Sequence, residues 1–219
     1  MQAARENDTH RAIQRLCEVG LLPAQDGLIT QNVDSLHYKA GTTGAIELHG
    51  TLRQVTCLDC GHALPREAVQ RTLHTLNAHS AWAQIYRPLK DGKPSFNADG
   101  DAEIAADAMP TDPFLYPSCP SCQVGLLKPS VVFFGENLHP SIRQRASATL
   151  VKEQVDLLLV VGSSLTVYSA FRLVKEALPH ARVIILNQGP TRAATLTSSQ
   201  VEHIDAPCLP IMQHLLHHL

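Results

Sequence analysis

The chain has no apolar run approaching the roughly 18 residues that a membrane-spanning helix needs. Its densest run, Leu157 to Val161, has only the length of a strand. The opening residues, MQAARENDTHRA, hold no apolar h-region, so no secretory signal is read there. Net charge is nearly absent: 18 basic against 20 acidic residues leave −2, with no block of lysines and arginines. A sequence-independent grip on nucleic acid needs such a block, so no direct nucleic-acid partner is expected. Internal repeats and long low-complexity segments are missing. No GxGxxG run is present, so the usual glycine fingerprint for a dinucleotide is lacking. What remains is a 219-residue chain, 44% hydrophobic, long enough for one sizeable domain or one domain with an insert. The expected compartment is the reducing cytoplasm, or the mitochondrial matrix in a eukaryote.

Against that plain background, residues 30 to 60 are dense in chemistry: a polar Gln31-Asn32-Val33-Asp34 turn, a lone His49 and a Cys57-x2-Cys60 pair. A second pair, Cys119-x2-Cys122, lies downstream. Six cysteines in a small secreted chain would point to disulfides, but paired knuckles in a cytosolic-type chain point to zinc. Zinc takes four tetrahedral ligands and favours thiolates. Two such turns close the site with no open position, so the zinc is expected to be structural. Cys17 and Cys208 are left over, each readable as a small buried hydrophobe.

Residues 9 to 19 carry helical spacing, with Asp8 or Thr9 placed to cap the start and Gly20 the stop. Leu28 to Thr30 reads as a short strand running into the polar turn. From 51 to 124 the character changes to a loop-rich insert with a helix at Arg66 to Leu76 and a polar loop from about 88 to 118. Apolar strands then resume at Ser130 to Phe134, Val155 to Val161 and Arg182 to Leu186, with helices at 141–152 and 166–178. This alternation predicts an α/β fold: a Rossmann-like parallel sheet with helices on both faces. Residues 1–50 and 125–219 form that domain, and 51–124 a small zinc-binding module. Ligands in such sheets sit at the carboxyl ends of strands. Gln31-Asn32, Gly162-Ser163-Ser164 and Asn187-Gln188-Gly189 are three such ends, expected to line one crevice.

A histidine near its ordinary pKa of about 6.5 is the natural general base at neutral pH, and His49 is the candidate. Read alone, a histidine in an apolar stretch such as Ile46 to Gly50 is more often structural; its place between the polar turn and the first cysteine pair favours the base. Asn32 and Asp34 could bond an amide, a water or a ribose, though both residue types favour turns for their own sake. Gly162 to Ser164 would admit a phosphate close to the backbone at a helix start. The run Gly135-Glu136-Asn137-Leu138 follows an apolar strand and could pair by its backbone with an extended peptide. The loop Asn97 to Asp101 fails as a calcium loop, since Ala102 and Ala108 stand where glycine and glutamate are needed. The terminal His217-His218 reads as an exposed helix end.

Taken in order, these motifs resemble the sirtuins, the NAD-dependent protein-lysine deacylases. The matching runs are Thr30 to His37, Glu47 to Gly50, the four paired cysteines, Lys128 to Glu136, Val161 to Leu165 and Ile185 to Pro190. The resemblance implies a transferase in which an acyl-lysine carbonyl oxygen attacks the nicotinamide ribose of NAD and expels nicotinamide, in the cleft between the two domains. It implies His49 as general base on the ribose hydroxyls. It places Gln31, Asn32, Val33 and Asp34 at the nicotinamide and its ribose. Val132, Phe133, Gly135 and Glu136 would hold the acyl-lysine peptide. Gly162, Ser163, Ser164, Asn187, Gln188, Gly189 and Cys208 would hold phosphates, adenosine ribose and adenine. Cys57, Cys60, Cys119 and Cys122 would hold the structural zinc. The family's first strand and its Gly-Ala-Gly-x-Ser loop have no counterpart before Thr30, so an unpaired sheet edge is expected. Two other readings stay open: a catalytically incomplete zinc- and NAD-cleft binding protein, and an ADP-ribosyltransferase.

Overall fold

The computed structural model describes residues 4–83, 109–151 and 155–219. The loop at Asn97 to Asp101 lies outside the described residues. The chain divides into two compact units, one made of Met1–Thr51 and Val131–Leu219, the other of Leu52–Ser130. No helix among the described residues is long and apolar enough to cross a membrane.

The first unit opens with α1 (Asp8–Glu18). Its cap is Asn7, not Asp8 or Thr9. The Asn7 side chain accepts from the His10 backbone N–H, and the His10 ring answers at the Asn7 backbone N–H. This reciprocal capping satisfies two otherwise orphaned donors, which is why it prevails over the residues that follow. Strand β1 (Gln25–Thr30) leads to a single helical turn, α2 (Leu36–Lys39), and then to β2 (Gly44–Glu47), which pairs parallel with β1. Later in the chain, β6 (Leu157–Val161), β7 (Arg182–Leu186) and β8 (Val201–Ile204) form a second parallel sheet in the order β6-β7-β8. Helices α4 (Pro140–Leu150), α5 (Tyr168–Ala177) and α6 (Cys208–His218) accompany these strands.

Helix α5 shows why this unit is stable. Ala170, Phe171, Leu173, Val174 and Ala177 are buried, and their spacing forms one stripe of a 3.6-residue helix. They join Ile46, Leu48, Val183 and Ile185 in the main core. Val183 and Ile185 are fully buried, each contributing about 1.5–3 kcal/mol relative to exposure. A smaller cluster of Ala12, Ile13, Leu186 and Met212 packs α1 and α6 together.

Two expectations change here. The parallel strands form two sheets rather than one, because β1 and β6 share no backbone ladder. Their ends meet instead through side chains: Gln31 Nε2 donates to Ser163 Oγ at 2.9 Å. The strand expected at Ser130 to Phe134 lies upstream, as β5 (Leu127–Val131) in the second unit. Val132, Phe133 and Phe134 lie beyond the end of β5, and Phe134 is 93% exposed.

The second unit holds a three-stranded sheet in the order β4-β3-β5, with β3 (Gly50–Cys57) antiparallel to β4 (Ala63–Pro65), and helix α3 (Arg66–Leu76). Its core is thin. Among the described residues, Val55, Cys57 and Cys119 are its only buried hydrophobics. The fully buried Asn77 adds polar tethering, donating to the Leu73 and Leu115 carbonyls at 2.9 and 2.7 Å and accepting from Leu115 N–H at 2.9 Å.

The His10 and His37 rings lie 4.7 Å apart, and His37 Nδ1 is buried without a partner. Burial first, and His10 second, depress His37 to about 4, against the opposing pull of Asp34. The unfolded chain, with an ordinary value of about 6.5, therefore binds more protons between pH 6.5 and 4. The contribution of neutral His37 is complete above pH 6.5 and is lost as pH falls toward 4. Partial exposure screens it to roughly 1–2 kcal/mol. Urea unfolding at pH 7 and pH 5 should show this fall in the parent and a shallower one in His37→Gln.

Candidate active site and metal centre

The polar turn after β1 is built from short local bonds. Asn32 N–H donates to Thr30 Oγ1 at 3.1 Å, and Leu36 N–H donates to Asp34 Oδ1 at 2.9 Å. Ser35 takes the left-handed conformation at φ +64°, which turns the chain sharply after Asp34. Gln31, Val33 and Asp34 are half-buried, and Asn32 is exposed. Gln31 is held through its side chain by Ser163, whose Oγ also accepts from Leu165 N–H at 3.2 Å.

His49 follows β2 and is half-buried. Leu48, one residue earlier, is fully buried and bonds through its N–H to the Thr30 carbonyl at 2.9 Å. The His49 carbonyl accepts from Val132 N–H at 3.0 Å. The backbone on both sides of the imidazole is therefore fixed. Burial lowers the His49 pKa, and a hydrogen bond from the ring to the Gln31 carbonyl opposes that shift. The ring is thereby held neutral at pH 7, as a proton acceptor must be. Its Nε2 lies 2.9 Å from Ser169 Oγ, in the first turn of α5.

The ends of β6 and β7 lie side by side, since Val161 and Leu186 are register partners. Gly162 N–H donates to the Leu186 carbonyl at 2.9 Å, and Cys208 Sγ donates to the same carbonyl at 3.2 Å. Gly162 sits at φ +64°, and a Cβ added there would meet only Cys208 Sγ, at 3.7 Å. Ser164 is exposed and its carbonyl accepts from Arg192 N–H at 2.8 Å. The Arg192 guanidinium lies over the Phe171 ring at 4.7 Å and donates to the Thr166 carbonyl at 3.1 Å. It buttresses the 162–166 loop. Asn187 N–H donates to the Ile204 carbonyl at 3.2 Å, and Gly189 N–H to Asp205 Oδ1 at 2.7 Å. Gln188 is exposed beside them. Small and polar residues at the carboxyl ends of parallel strands fit a phosphate or ribose ligand.

After β5, Phe133 N–H donates to Glu136 Oε2 and Glu136 N–H to the Phe133 carbonyl, both at 2.9 Å. Residues 133–136 thus close a turn, with Gly135 at φ +89° and the Phe133 and Phe134 rings exposed. Val132, half-buried, joins this turn to His49.

The four paired cysteines come together in the second unit, with all sulfurs within 4.8 Å of one another. Cys57 and Cys122 sulfurs are 3.7 Å apart, as are those of Cys60 and Cys119. A tetrahedron with Zn–S of about 2.3 Å requires S–S separations of about 3.8 Å. The donors fit the ion. Backbone N–H groups of Ser121 and Gly125 point at Cys119 and Cys122 sulfurs at 3.4 and 3.3 Å, the outer support a thiolate site needs. The Val124 and Gly125 backbone N–H groups draw the Cys122 thiol down to about 7. Gly125 leaves no room: a Cβ there would lie 2.3 Å from Cys57 Sγ and 2.7 Å from Asp59 Oδ2. Gly125→Ala should therefore weaken zinc binding by about 10–100-fold, measured by competition with a chromophoric chelator.

Sequence reading missed Ser169 and Arg192. Neither belongs to a polar cluster along the chain; each reaches its partner through the fold.

A sequence model of the Sir2 family matches residues 1–169. The chain is 40% identical over 220 residues to NAD-dependent protein deacetylase 3 of Pseudomonas syringae pv. tomato, spanning 100% of this chain and 72% of that protein. It is 42% identical over 205 residues to NAD-dependent protein deacylase SIR4 of Batrachochytrium dendrobatidis, spanning 90% of this chain and 64% of that protein. A solved complex of a Sir2 homologue with NAD superposes with a TM-score of 0.67 at 27% identity, covering 99% of this chain and 65% of the other. Sir2Tm bound to a propionylated peptide superposes with a TM-score of 0.67 at 25% identity, covering 98% and 71%. The chain thus spans about two thirds of the length of the proteins it matches.

Proposed function

The chain belongs to the Sir2 family, and on that premise we propose that it is an NAD-dependent protein-lysine deacylase that transfers the acyl group of an acyl-lysine to ADP-ribose and releases nicotinamide. The observation that carries this reading is His49: a half-buried imidazole kept neutral, on a fixed backbone, beside the strand-end turn of Gln31 to Asp34.

Each residue then has a task its geometry supports. NAD, when bound, supplies an electrophilic ribose carbon and a leaving group. Gln31, tethered to Ser163, and Asn32, Val33 and Asp34 would hold the carboxamide and its ribose. Gly162, Ser163, Ser164 and Asn187 to Gly189, with Cys208 below them, would hold the remaining ribose and the phosphates. His49 would take the proton from a ribose hydroxyl at Nε2 and return it to solvent. The turn at Phe133, Gly135 and Glu136, with Val132 behind it, would receive the acyl-lysine of an extended peptide. The zinc would hold the second unit together and take no part in bond changes, because four thiolates leave it no open position.

The test is incubation of the protein with NAD and an acetyl-lysine peptide, following nicotinamide and free lysine by mass spectrometry. Both products should appear together and only when both substrates are present. ADP-ribosyl transfer to protein without freed lysine would replace this reading by the transferase one.

A further inference from the structure

We propose that Ser169 is the positioning residue for His49: its hydroxyl holds Nε2 of the imidazole as the proton-accepting nitrogen and receives that nitrogen's hydrogen once the base is charged. The proposal concerns the site assigned above and rests on that reading for its catalytic consequence.

The geometry fixes the direction of each bond. The Gln31 backbone opposes the lowering that burial imposes on the His49 pKa, as a carbonyl facing the ring does. A carbonyl can only accept, so the nitrogen that faces it carries a proton. Nε2 is committed to Ser169 Oγ at 2.9 Å, which leaves Nδ1 to carry that proton. In a neutral imidazole the other nitrogen is then an acceptor, and the Ser169 O–H must donate to it. One tautomer is thus selected from two sides, and the ring plane is held between the end of β1 and the start of α5.

Ser169 itself is well anchored. The next two residues, Ala170 and Phe171, are buried, and both bond through N–H to the Val167 carbonyl, at 3.2 and 3.1 Å. The hydroxyl therefore approaches His49 from a fixed helix turn rather than from a loop. A hydroxyl also suits both protonation states. While Nε2 has its lone pair, Ser169 O–H donates to it. Nε2 has one lone pair, so a ribose hydroxyl must displace the Ser169 hydrogen to reach it; once the ribose proton is on Nε2, the new N–H donates to Ser169 Oγ, whose own hydrogen has turned outward. One proton moves from ribose oxygen to nitrogen, and the base is never left without a partner. Alanine offers neither bond, whereas threonine keeps both.

The test pairs kinetics with the ring's own signal. Ser169→Ala should lower kcat for nicotinamide release by roughly tenfold, the worth of one well-placed hydrogen bond. KM for NAD should change less than twofold, and Ser169→Thr should recover most of the rate. Long-range proton–nitrogen spectra of 15N-histidine protein should show His49 protonated at Nδ1, with the Nε2 resonance moving downfield in Ser169→Ala and returning in Ser169→Thr. Unchanged kcat in Ser169→Ala, a loss that threonine does not repair, or an unmoved Nε2 resonance would each overturn the proposal. If the parent protein releases no nicotinamide, the functional reading fails by itself. The Nε2 resonance alone then decides whether Ser169 sets the tautomer.

Discussion

Replacing His49 with alanine is expected to lower nicotinamide release by about 10²–10⁴-fold, the range a positioned general base contributes. The fold should survive the change. Its neighbours Leu48 and Ile46 carry most of the burial in that stretch, and the backbone bonds of residues 48 and 49 do not involve the imidazole. The thermal midpoint and zinc content should therefore match the parent protein. NAD should still bind, because the groups proposed to hold it sit on the ends of β1, β6 and β7. The loss should appear in kcat, with KM for NAD little changed, since proton removal is an interaction made in the transition state. Stopped release with unchanged NAD affinity, measured by calorimetry, is the expected pair of results. Intact turnover in His49→Ala would assign the base elsewhere.

The second large effect concerns the metal. Removing zinc with a chelator, or replacing Cys119 with serine, should unfold the second unit. Its buried apolar residues among those described are Val55, Cys57 and Cys119, and two of the three are ligands. A core this thin does not offset the entropy of ordering the chain. Zinc binding to four thiolates contributes on the order of 10–16 kcal/mol in comparable small sites, so its loss dominates the balance. The amides that report it are known. Cys57 N–H bonds the His62 carbonyl at 3.0 Å, Leu58 N–H that of Leu126 at 2.9 Å, and Cys119 N–H that of Gly125 at 2.9 Å. All three should lose hydrogen-exchange protection after chelation, while Val183 and Gly162 amides in the first unit, bonded to Gln200 and Leu186 carbonyls, keep theirs. Retained protection at Leu58 and Cys119 without metal would show that the unit stands on its own packing.

Much of this was legible in the sequence, and what was not has physical causes. Helix Arg66–Leu76 and strand Arg182–Leu186 stand where spacing and apolar runs put them. The cysteine pairs announce their shared ion because neither Cys-x2-Cys turn opens a helix after a strand, as a redox pair would, and two such turns supply four ligands. Spacing alone starts α1 at residue 9, one residue late, because a histidine at the third helical position completes the cap of Asn7 in a role usually given to glutamate or glutamine. The run Ser130 to Phe134 looks like a strand by composition. The ladder instead takes Leu127 to Val131, with a lysine, a proline and a serine inside it, because pairing with β3 decides the matter. Ser169 carries no local signal at all. It lies 120 residues from His49 and reaches it only because α5 begins where it does.

The most direct measurement is the stoichiometry of products from the purified protein given NAD and an acetyl-lysine peptide. The account predicts one nicotinamide released for each lysine freed, none when either substrate is omitted, and release about 10²–10⁴-fold slower in His49→Ala. Nicotinamide released without freed lysine, or lysine freed without NAD, would contradict it.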